Sequence, residues 1–245
     1  MSTNSETEMN KTALVLGATG AVGKALLKNV LKDSNYTTVI AMGRRAVELD
    51  DSIPKEKLVQ KTVNFGNLEE NRQDFRNIKA DAGSAENFLK IDQEYVVNSA
   101  KMIVEENPSK NNESTTKSPV HFLYCSSTGA NKNSWFLYPR SKGETEERLS
   151  EAGFEKVSIF QPGFLEVEVP RANTRFAEAL VGSFVPKING LFNLHMSVPV
   201  VNVGQAMKLA TQQPNSIPKN VQTRTSKIGS KVFIFSNKNI DEMTK

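Results

Sequence analysis

Gly17-Ala-Thr-Gly-Ala-Val-Gly23 is the stretch that decides the fold. It lies between a short apolar run at 12–17 (TALVLG) and a segment at 21–32 (AVGKALLKNVLK) with apolar residues at helical spacing. An apolar run that ends in glycine is typical of a buried parallel strand, and the helical period indicates an amphipathic helix. We therefore predict a strand, a glycine-rich turn and a helix near the start of the chain.

The glycines of this turn indicate a site for the pyrophosphate of a dinucleotide. Gly17 permits the tight turn, Gly20 lets backbone N–H groups approach the phosphates, and Gly23 lets the helix pack closely on the strand. The phosphates would lie beside Thr19, against the positive N-terminal end of the helix. A plain strand-to-helix turn is the alternative, but the two flanking elements favour the dinucleotide site.

The strand predicted at 37–43 ends in Gly43-Arg44-Arg45, which bears on the choice of cofactor. An acidic residue about 20 residues after the glycines would hold the ribose 2′-hydroxyl of NAD. Arg44 and Arg45 would instead pair with the 2′-phosphate of NADP through charge-assisted hydrogen bonds. Two solvated arginines in a loop are the alternative. The pattern favours NADP(H) as the cofactor.

Tyr138-Pro-Arg-Ser-Lys142 opens a helix predicted at 138–152 and places a phenol and an ammonium on one helix face. A neighbouring ammonium lowers the pKa of a phenol, so Tyr138 can act as general acid toward a carbonyl during hydride delivery. It would act as the base in the reverse reaction. Lys142 can also hold the nicotinamide ribose, which makes both residues candidates for catalysis and for cofactor binding.

Ser126 and Ser127 follow a strand predicted at 120–125, where a hydroxyl could orient the substrate oxygen. Strand pleating puts the two side chains on opposite faces, and we favour Ser127 as the catalytic one. Pro162-Gly163 follows the next strand, at 156–161, and marks the loop near the nicotinamide. Trp135-Phe136, just before Tyr138, are either part of the substrate mouth or core aromatics.

The rest of the chain alternates strands and helices, with further strands expected at 58–65, 197–201 and 232–235. Helices are expected at 85–106, 174–182 and 203–212. This alternation predicts a single α/β domain over residues 12–245, with a doubly wound, mostly parallel Rossmann sheet. Residues 1–11 are expected to be disordered, and the polar stretch 107–118 is interpreted as a surface insertion.

Composition excludes several classes of protein. The 31 Lys and Arg against 27 Asp and Glu give a net charge of +4, spread along the chain, so we expect no nucleic-acid partner. A basic face resting on an anionic membrane surface stays open. The one cysteine, Cys125, and the two histidines give no metal-ligand spacing, so we expect no metal site. No apolar stretch has the roughly 20 residues that span a bilayer.

Several segments taken together resemble one family. They are LVLGATGAVG, the AMGRR strand end, KADAGSAENFLKIDQEYVVNSAK, YCSSTGANKNSWFLYPRSKGETEERL, SIFQPGFL and SVPVV. This chain is similar, from about residue 12 onward, to the fungal FMP-type mitochondrial proteins. Their animal relative is the Tat-interacting atypical short-chain dehydrogenase/reductase.

The resemblance implies an NADPH-binding reductase. It places Gly20, Ala21 and Val22 at the phosphate turn, and it places Leu165 and Arg171 near the nicotinamide end. The implied roles of Tyr138 and Lys142 are proton acceptor and cofactor contact. The resemblance also implies peripheral attachment to the cytosolic face of the mitochondrial outer membrane.

The chain departs from this family at one place. Relatives carry a fourth strand that ends in a Leu-Gly-Thr-Thr-Arg type segment, whereas here Phe75 is followed directly by RNIKAD and AGSAE. We therefore expect the fourth strand to be missing. Either the sequence is an incomplete gene model, which the intact flanking motifs favour, or the protein has lost the strand.

Two functions follow from these predictions. The first is an NADPH-dependent oxidoreductase that acts on the carbonyl group of a small molecule. The second is a regulatory or interaction protein that binds NADPH as a structural ligand and performs no chemistry.

Overall fold

The computed structural model describes residues 11–76, 81–84, 89–109, 117–166, 197–212 and 217–245. The strands are β1 (Lys11–Leu16), β2 (Tyr36–Gly43), β3 (Leu58–Thr62), β4 (Asp81–Ser84), β5 (Ser118–Cys125), β6 (Phe154–Gln161), β7 (Phe164–Glu166), β8 (Ser197–Pro199), β9 (Gln222–Thr225) and β10 (Lys231–Ser236). The helices are α1 (Ala21–Leu31), α2 (Leu89–Glu106), α3 (Leu137–Ser150), α4 (Val200–Leu209) and α5 (Asn237–Thr244), with a 3-10 helix at Leu68–Phe75.

Eight of the strands form one sheet in the order β3-β2-β1-β4-β5-β6-β10-β9. All neighbours in this sheet are parallel except β9, which pairs antiparallel with β10 at one edge. Strands β7 and β8 form a separate parallel pair. The strand order reverses between β1 and β4, which is where doubly wound folds bind ligands, outside the carboxyl ends of the strands. The predicted fold class is confirmed.

The expectation of a missing fourth strand is wrong. Asp81–Ser84 forms β4, in which Ala82 to Ser84 pair with Leu14 to Leu16 of β1. The other side of β4 pairs with His121 to Tyr124 of β5. Backbone N–H and C=O groups of two buried strands need partners, because leaving them unpaired costs free energy. Asp81–Ser84, just ahead of the helix predicted at 85–106, supply these partners. The described part of that helix begins at Leu89.

Two hydrophobic layers cover the two faces of the sheet. Ala13 and Val15 of β1 pack in one layer, while Leu14 and Leu16 pack in the other, as strand pleating requires. The first, called here the α1 layer, includes buried residues of α1, α4 and α5. The second, called the α2 layer, includes buried residues of α2 and α3. The sheet is therefore sandwiched between helices, and its carboxyl-end edge carries the loops that follow β1, β2, β5 and β6.

Some of the predictions lie wholly or mainly outside the described residues. Of the expected disordered segment, only Lys11 is described, and it begins β1. The centre of the insertion expected at 107–118 is not described, and β5 begins at Ser118. The helix expected at 174–182 and Arg171 also lie outside the described ranges. The strand expected at 197–201 ends at Pro199, because α4 begins at Val200.

Candidate active site

The glycine-rich turn joins β1 to α1 and leaves the start of the helix open. Gly17 has φ 69°, a left-handed conformation that glycine adopts without strain. The Gly20 N–H donates to the Gly17 carbonyl oxygen at 2.9 Å, and Gly20 is the N-cap of α1. Among the described residues no side chain caps the helix, and its first turn carries no acidic residue. The N–H donors at this end can therefore receive an anion.

The loop after β2 presents two arginines beside this turn. Arg44 and Arg45 are exposed, and neither guanidinium makes an ion pair or hydrogen bond with another residue in the described ranges. The Val47 N–H donates to the Gln60 side-chain oxygen at 2.7 Å, which ties the loop to β3. A small pocket separates the loop from the turn, and it is lined by Ala18, Thr19, Ala41, Met42, Gly43, Arg45, Val47 and Gln60. An exposed guanidinium at the edge of a pocket, such as that of Arg45, suits a phosphate.

Tyr138 and Lys142 lie one turn apart at the start of α3, in the arrangement that the sequence predicts. The Lys142 Nζ atom lies 5.9 Å from the centre of the Tyr138 ring and 5.2 Å from that of Tyr124. It donates a hydrogen bond to the Tyr124 hydroxyl at 3.3 Å. Burial raises the pKa of the Tyr124 phenol, and this effect exceeds the lowering that the positive charge of Lys142 causes. Tyr124 is a site residue that the sequence analysis missed.

Ser126 and Ser127 follow β5 directly and are both packed against the sheet edge. The Ser127 hydroxyl is buried and has no hydrogen-bond partner among the described residues. The Ser126 hydroxyl is also buried, and it lies near Glu146 without a hydrogen bond of ordinary geometry. An unpartnered buried hydroxyl costs free energy, so Ser127 fits the role of a donor to a bound oxygen.

Thr128 joins the ends of β5 and β6. Its N–H donates to the Pro162 carbonyl oxygen at 2.8 Å, and its hydroxyl donates to the Gln161 carbonyl oxygen at 2.9 Å. Beyond Pro162, the Gly163 N–H donates to the Asn237 side-chain oxygen at 2.8 Å. Leu165 lies in β7, is partly buried against the α1 layer, and pairs with Val198 of β8. These contacts hold the loop after β6 beside the serines.

The loop between β5 and α3 crosses the helix at Gly143. A Cβ atom at Gly143 would lie 2.2 Å from the main-chain nitrogen of Lys132, so only glycine lets the loop backbone come this close to the helix. The Asn131 N–H also donates to the Pro139 carbonyl oxygen at 2.9 Å. Trp135 and Phe136 are 96% and 60% exposed, which excludes the alternative that they are core aromatics.

Glu146 is a second residue that the sequence analysis missed. It lies on α3 four residues after Lys142 and is only 7% exposed. The Gln161 side-chain N–H donates to its two carboxylate oxygens at 2.9 and 3.2 Å. Burial raises the pKa of the Glu146 carboxyl, although Ser126, Gln161, Arg224 and Lys142 all oppose this effect. The spacing of four residues from Lys142 was the signal that could have identified it.

The described helices include none that is long and apolar enough to cross a bilayer. In the same ranges, no group of three or more His, Cys, Asp or Glu side chains could hold a metal ion.

Comparison with known proteins gives two groups of relatives. No protein-family model matches the chain. The chain is 31% identical over 217 residues to Protein HTATIP2 of Rattus norvegicus, which covers 84% of each protein. It is 30% identical over 182 residues to the mitochondrial protein fmp52 of Aspergillus niger, covering 69% of this chain and 72% of that protein.

Solved structures with the same fold are more distant in sequence. A Rossmann-fold NAD(P)-binding family protein from Shigella flexneri matches with a TM-score of 0.55 and 12% identity, over 91% of this chain and 92% of the other. A short-chain dehydrogenase/reductase from Veillonella parvula matches with a TM-score of 0.53 and 14% identity, over 93% and 95% of the two chains. These structures support the Rossmann-like fold, and the relatives identify the family. The chain belongs to the family of the HTATIP2 and FMP52 proteins.

Proposed function

We propose that this protein binds NADP(H) and reduces a carbonyl group of a small-molecule substrate. The observation that carries the proposal is the position of Tyr138 and Lys142 on one face of α3, with the Lys142 Nζ atom 5.9 Å from the Tyr138 ring. The buried hydroxyl of Ser127 at the end of β5, which has no hydrogen-bond partner among the described residues, supports it. A proton donor, a cation beside it and an unused hydroxyl donor are the groups that carbonyl reduction requires.

The residues present fit a bound dinucleotide. The open start of α1, with Gly17, Gly20, Ala21 and Val22, would take the pyrophosphate. Thr19 and Gly23 complete that turn. The exposed Arg44 and Arg45 would pair with a 2′-phosphate, which favours NADP over NAD. Leu165 would lie near the nicotinamide, in keeping with the family resemblance. When bound, the reduced cofactor supplies the hydride that adds to the carbonyl carbon.

The protein's own residues would supply and hold the proton. Tyr138 donates its phenol proton to the carbonyl oxygen, and Ser127 donates a hydrogen bond that holds the same oxygen in place. The Lys142 ammonium stabilises the phenolate left on Tyr138 and is placed to contact the nicotinamide ribose. In the direction of alcohol oxidation, the Tyr138 phenolate acts as the base.

We further propose that the protein is attached peripherally to the cytosolic face of the mitochondrial outer membrane. The fungal relatives carry "mitochondrial" in their names, which supports this location. The net charge of +4 suits an anionic membrane surface, and its spread along the chain argues against a nucleic-acid partner. Protease treatment of intact mitochondria should remove the protein, and alkaline carbonate should release it. Resistance to both treatments would contradict the location.

The test of the reductase is NADPH binding and turnover measured on the same preparation. Wild-type protein should quench or shift NADPH fluorescence saturably and oxidise NADPH over a panel of aldehydes and ketones. Tyr138→Phe should keep NADPH binding and lose turnover by about a hundredfold or more. Thermal stabilisation by NADPH without turnover would favour the non-catalytic NADPH-binding protein instead. Absence of saturable binding would refute both functions.

A further inference from the structure

Three large apolar side chains in succession face solvent where the loop after β5 meets α3. Trp135 is 96% exposed, Phe136 is 60% exposed and Leu137 is 56% exposed. Single apolar residues on a protein surface are ordinary, whereas a contiguous apolar patch marks a surface that contacts a partner or a membrane. These three residues, called here the apolar tip, come directly before Tyr138, and the proposed reduction gives them no role.

The main chain holds the apolar tip in one conformation. The Ser134 N–H donates to the Asn131 carbonyl oxygen at 2.9 Å, and the Phe136 N–H donates to the Ser134 hydroxyl at 3.2 Å. In the first turn of α3, the Arg140 N–H donates to the Phe136 carbonyl oxygen at 3.2 Å. These hydrogen bonds would form equally well with polar side chains at 135–137. The local fold therefore gives no reason for apolar residues at these positions.

The charges around the apolar tip are positive. The segment 126–143 contains Lys132, Arg140 and Lys142 and no acidic residue. Lys132 is paired with Glu147 at 2.6 Å, and Lys142 is half-buried. The Arg140 guanidinium is exposed and makes no ion pair or hydrogen bond with another residue in the described ranges. An apolar segment that contains tryptophan and lies beside a solvated cation suits the headgroup region of a bilayer with anionic lipids.

We propose that the apolar tip inserts into the headgroup region of an anionic lipid bilayer and docks the protein there. This inference rests on the proposed peripheral attachment to a membrane, and it names the residues that make the contact. A second copy of this chain fits the tip less well, because the same cations would face each other in a symmetric contact. Since Leu137 directly precedes Tyr138, the docked protein would hold its proposed proton donor at the lipid surface.

The test uses the fluorescence of Trp135, which is the one tryptophan of the chain and so reports on the tip without a label. Full-length protein is titrated with vesicles of equal parts phosphatidylcholine and phosphatidylglycerol, and separately with vesicles of phosphatidylcholine alone. On the anionic vesicles, Trp135 emission should shift to shorter wavelength and be quenched by lipids that carry bromine on their acyl chains. Binding to phosphatidylcholine alone should be weaker, because the anionic headgroups are absent.

The double substitution Phe136→Ser with Leu137→Ser shortens the tip and keeps the reporter. Phe136 is the N-cap residue of α3, where serine is preferred, so the helix should be retained, as thermal unfolding can check. Loss of two apolar side chains should weaken vesicle binding by about tenfold or more. Arg140→Gln should weaken binding to the anionic vesicles by about fivefold and change binding to phosphatidylcholine little.

Ile228→Ser is the matched control. Ile228 is 44% exposed and lies in the turn before β10, at the amino-end edge of the sheet, opposite to the edge that carries the tip. Its substitution should leave vesicle binding unchanged. Should the double variant fail to fold, Leu137→Ser alone is expected to weaken binding in the same direction.

Trp135 emission that stays unshifted and unquenched on anionic vesicles would overturn the proposal, and so would equal weakening by Ile228→Ser. An emission shift that follows protein concentration without vesicles would also overturn it, because a second copy would then cover the tip. The vesicle measurement needs neither NADPH nor mitochondria. Insertion of Trp135 into vesicles by a protein absent from mitochondria would refute the proposed location alone. A mitochondrial protein whose Trp135 stays in water would refute the role of the tip alone.

Discussion

The Lys142 Nζ atom donates a hydrogen bond to the Tyr124 hydroxyl at 3.3 Å and lies over the Tyr124 ring. The cation of the proposed catalytic pair is thus held by a buried phenol from the centre of the sheet, as well as by its own helix. Because an ammonium has three N–H donors, Lys142 can keep this contact and still bind a ribose hydroxyl. Tyr124 then determines where the ammonium points.

Tyr124→Phe should therefore weaken NADPH binding. The substitution removes one hydrogen bond without changing the ring, and such bonds contribute about 0.5–1.5 kcal/mol, which is a twofold to tenfold rise in Kd. Fluorescence titration with NADPH measures the change. Tyr36→Phe is the matched control, because Tyr36 is also buried but contacts Thr211 instead. Equal weakening in both variants would contradict a specific role for Tyr124.

Replacing Arg44 and Arg45 by alanine should weaken the binding of NADPH much more than the binding of NADH. Hydrogen bonds to charged groups contribute about 1.5–3 kcal/mol, so the Kd for NADPH should rise at least tenfold. The Kd for NADH should change little, because NADH lacks the 2′-phosphate. Arg148→Ala removes an exposed arginine of α3 and serves as the control. A similar loss for both cofactors would show that the arginines do not recognise the 2′-phosphate.

Gly143→Ala should destabilise the protein, contrary to the usual effect in a helix. Alanine in place of glycine normally stabilises a helix interior by about 1 kcal/mol. Here the added Cβ atom would lie 2.2 Å from the main-chain nitrogen of Lys132 and 2.5 Å from the main-chain carbonyl carbon of Asn131. We expect a net loss of about 1–3 kcal/mol, measured by denaturant unfolding. An increase in stability would mean that the loop does not press on α3.

Glu146 should make stability depend on pH in a direction opposite to most carboxyl groups. Its pKa is raised above the ordinary value of 4.5, chiefly by burial, so the native state binds this proton more tightly than the unfolded chain. The contribution of Glu146 to stability therefore falls as pH rises from 4.5 through the native pKa. Glu146→Gln should therefore gain Tm relative to wild type as the pH rises above 4.5, which thermal unfolding at a series of pH values measures.

Glu147 is the matched control for this measurement. The hydrogen bond from Lys132 lowers the pKa of Glu147, so the pH dependence of its contribution to stability has the opposite sign. Glu147→Gln should lose Tm relative to wild type as pH rises, and the loss should be small because the pair is exposed to solvent. If both variants respond to pH in the same direction, burial does not govern the titration of Glu146.

The first part of the fold could be predicted because its signals are local. The run from β1 to β2 combines a buried strand, a glycine turn and an amphipathic helix within about three dozen residues, and each pattern depends only on near neighbours in the chain. The boundaries of α1 and α3 lie within two residues of the prediction. The arrangement of Tyr138 and Lys142 also followed directly, because it is a property of one helix.

Contacts between distant segments could not be predicted in the same way. Asp81–Ser84 becomes a strand because β1 and β5 need partners, and its own residues carry no strand pattern. Strand β9 is polar and exposed throughout, so it has no apolar alternation to detect. The burial of Glu146 depends on Gln161, which lies 15 residues further on and belongs to another element. A charged residue in a polar helix is ordinarily expected to face solvent.

The brevity of β4 has a consequence for how the domain holds together. β4 offers four residues at the centre of the sheet, against six in β1 and eight in β5, so the backbone ladder is narrowest where such a sheet is usually best protected. Val15 and Leu27 from one side share the α1 layer with Leu123 and Phe160 from the other. Because few backbone hydrogen bonds can cross the sheet at β4, side-chain packing must carry much of the coupling between the two halves, and we expect the halves to unfold together.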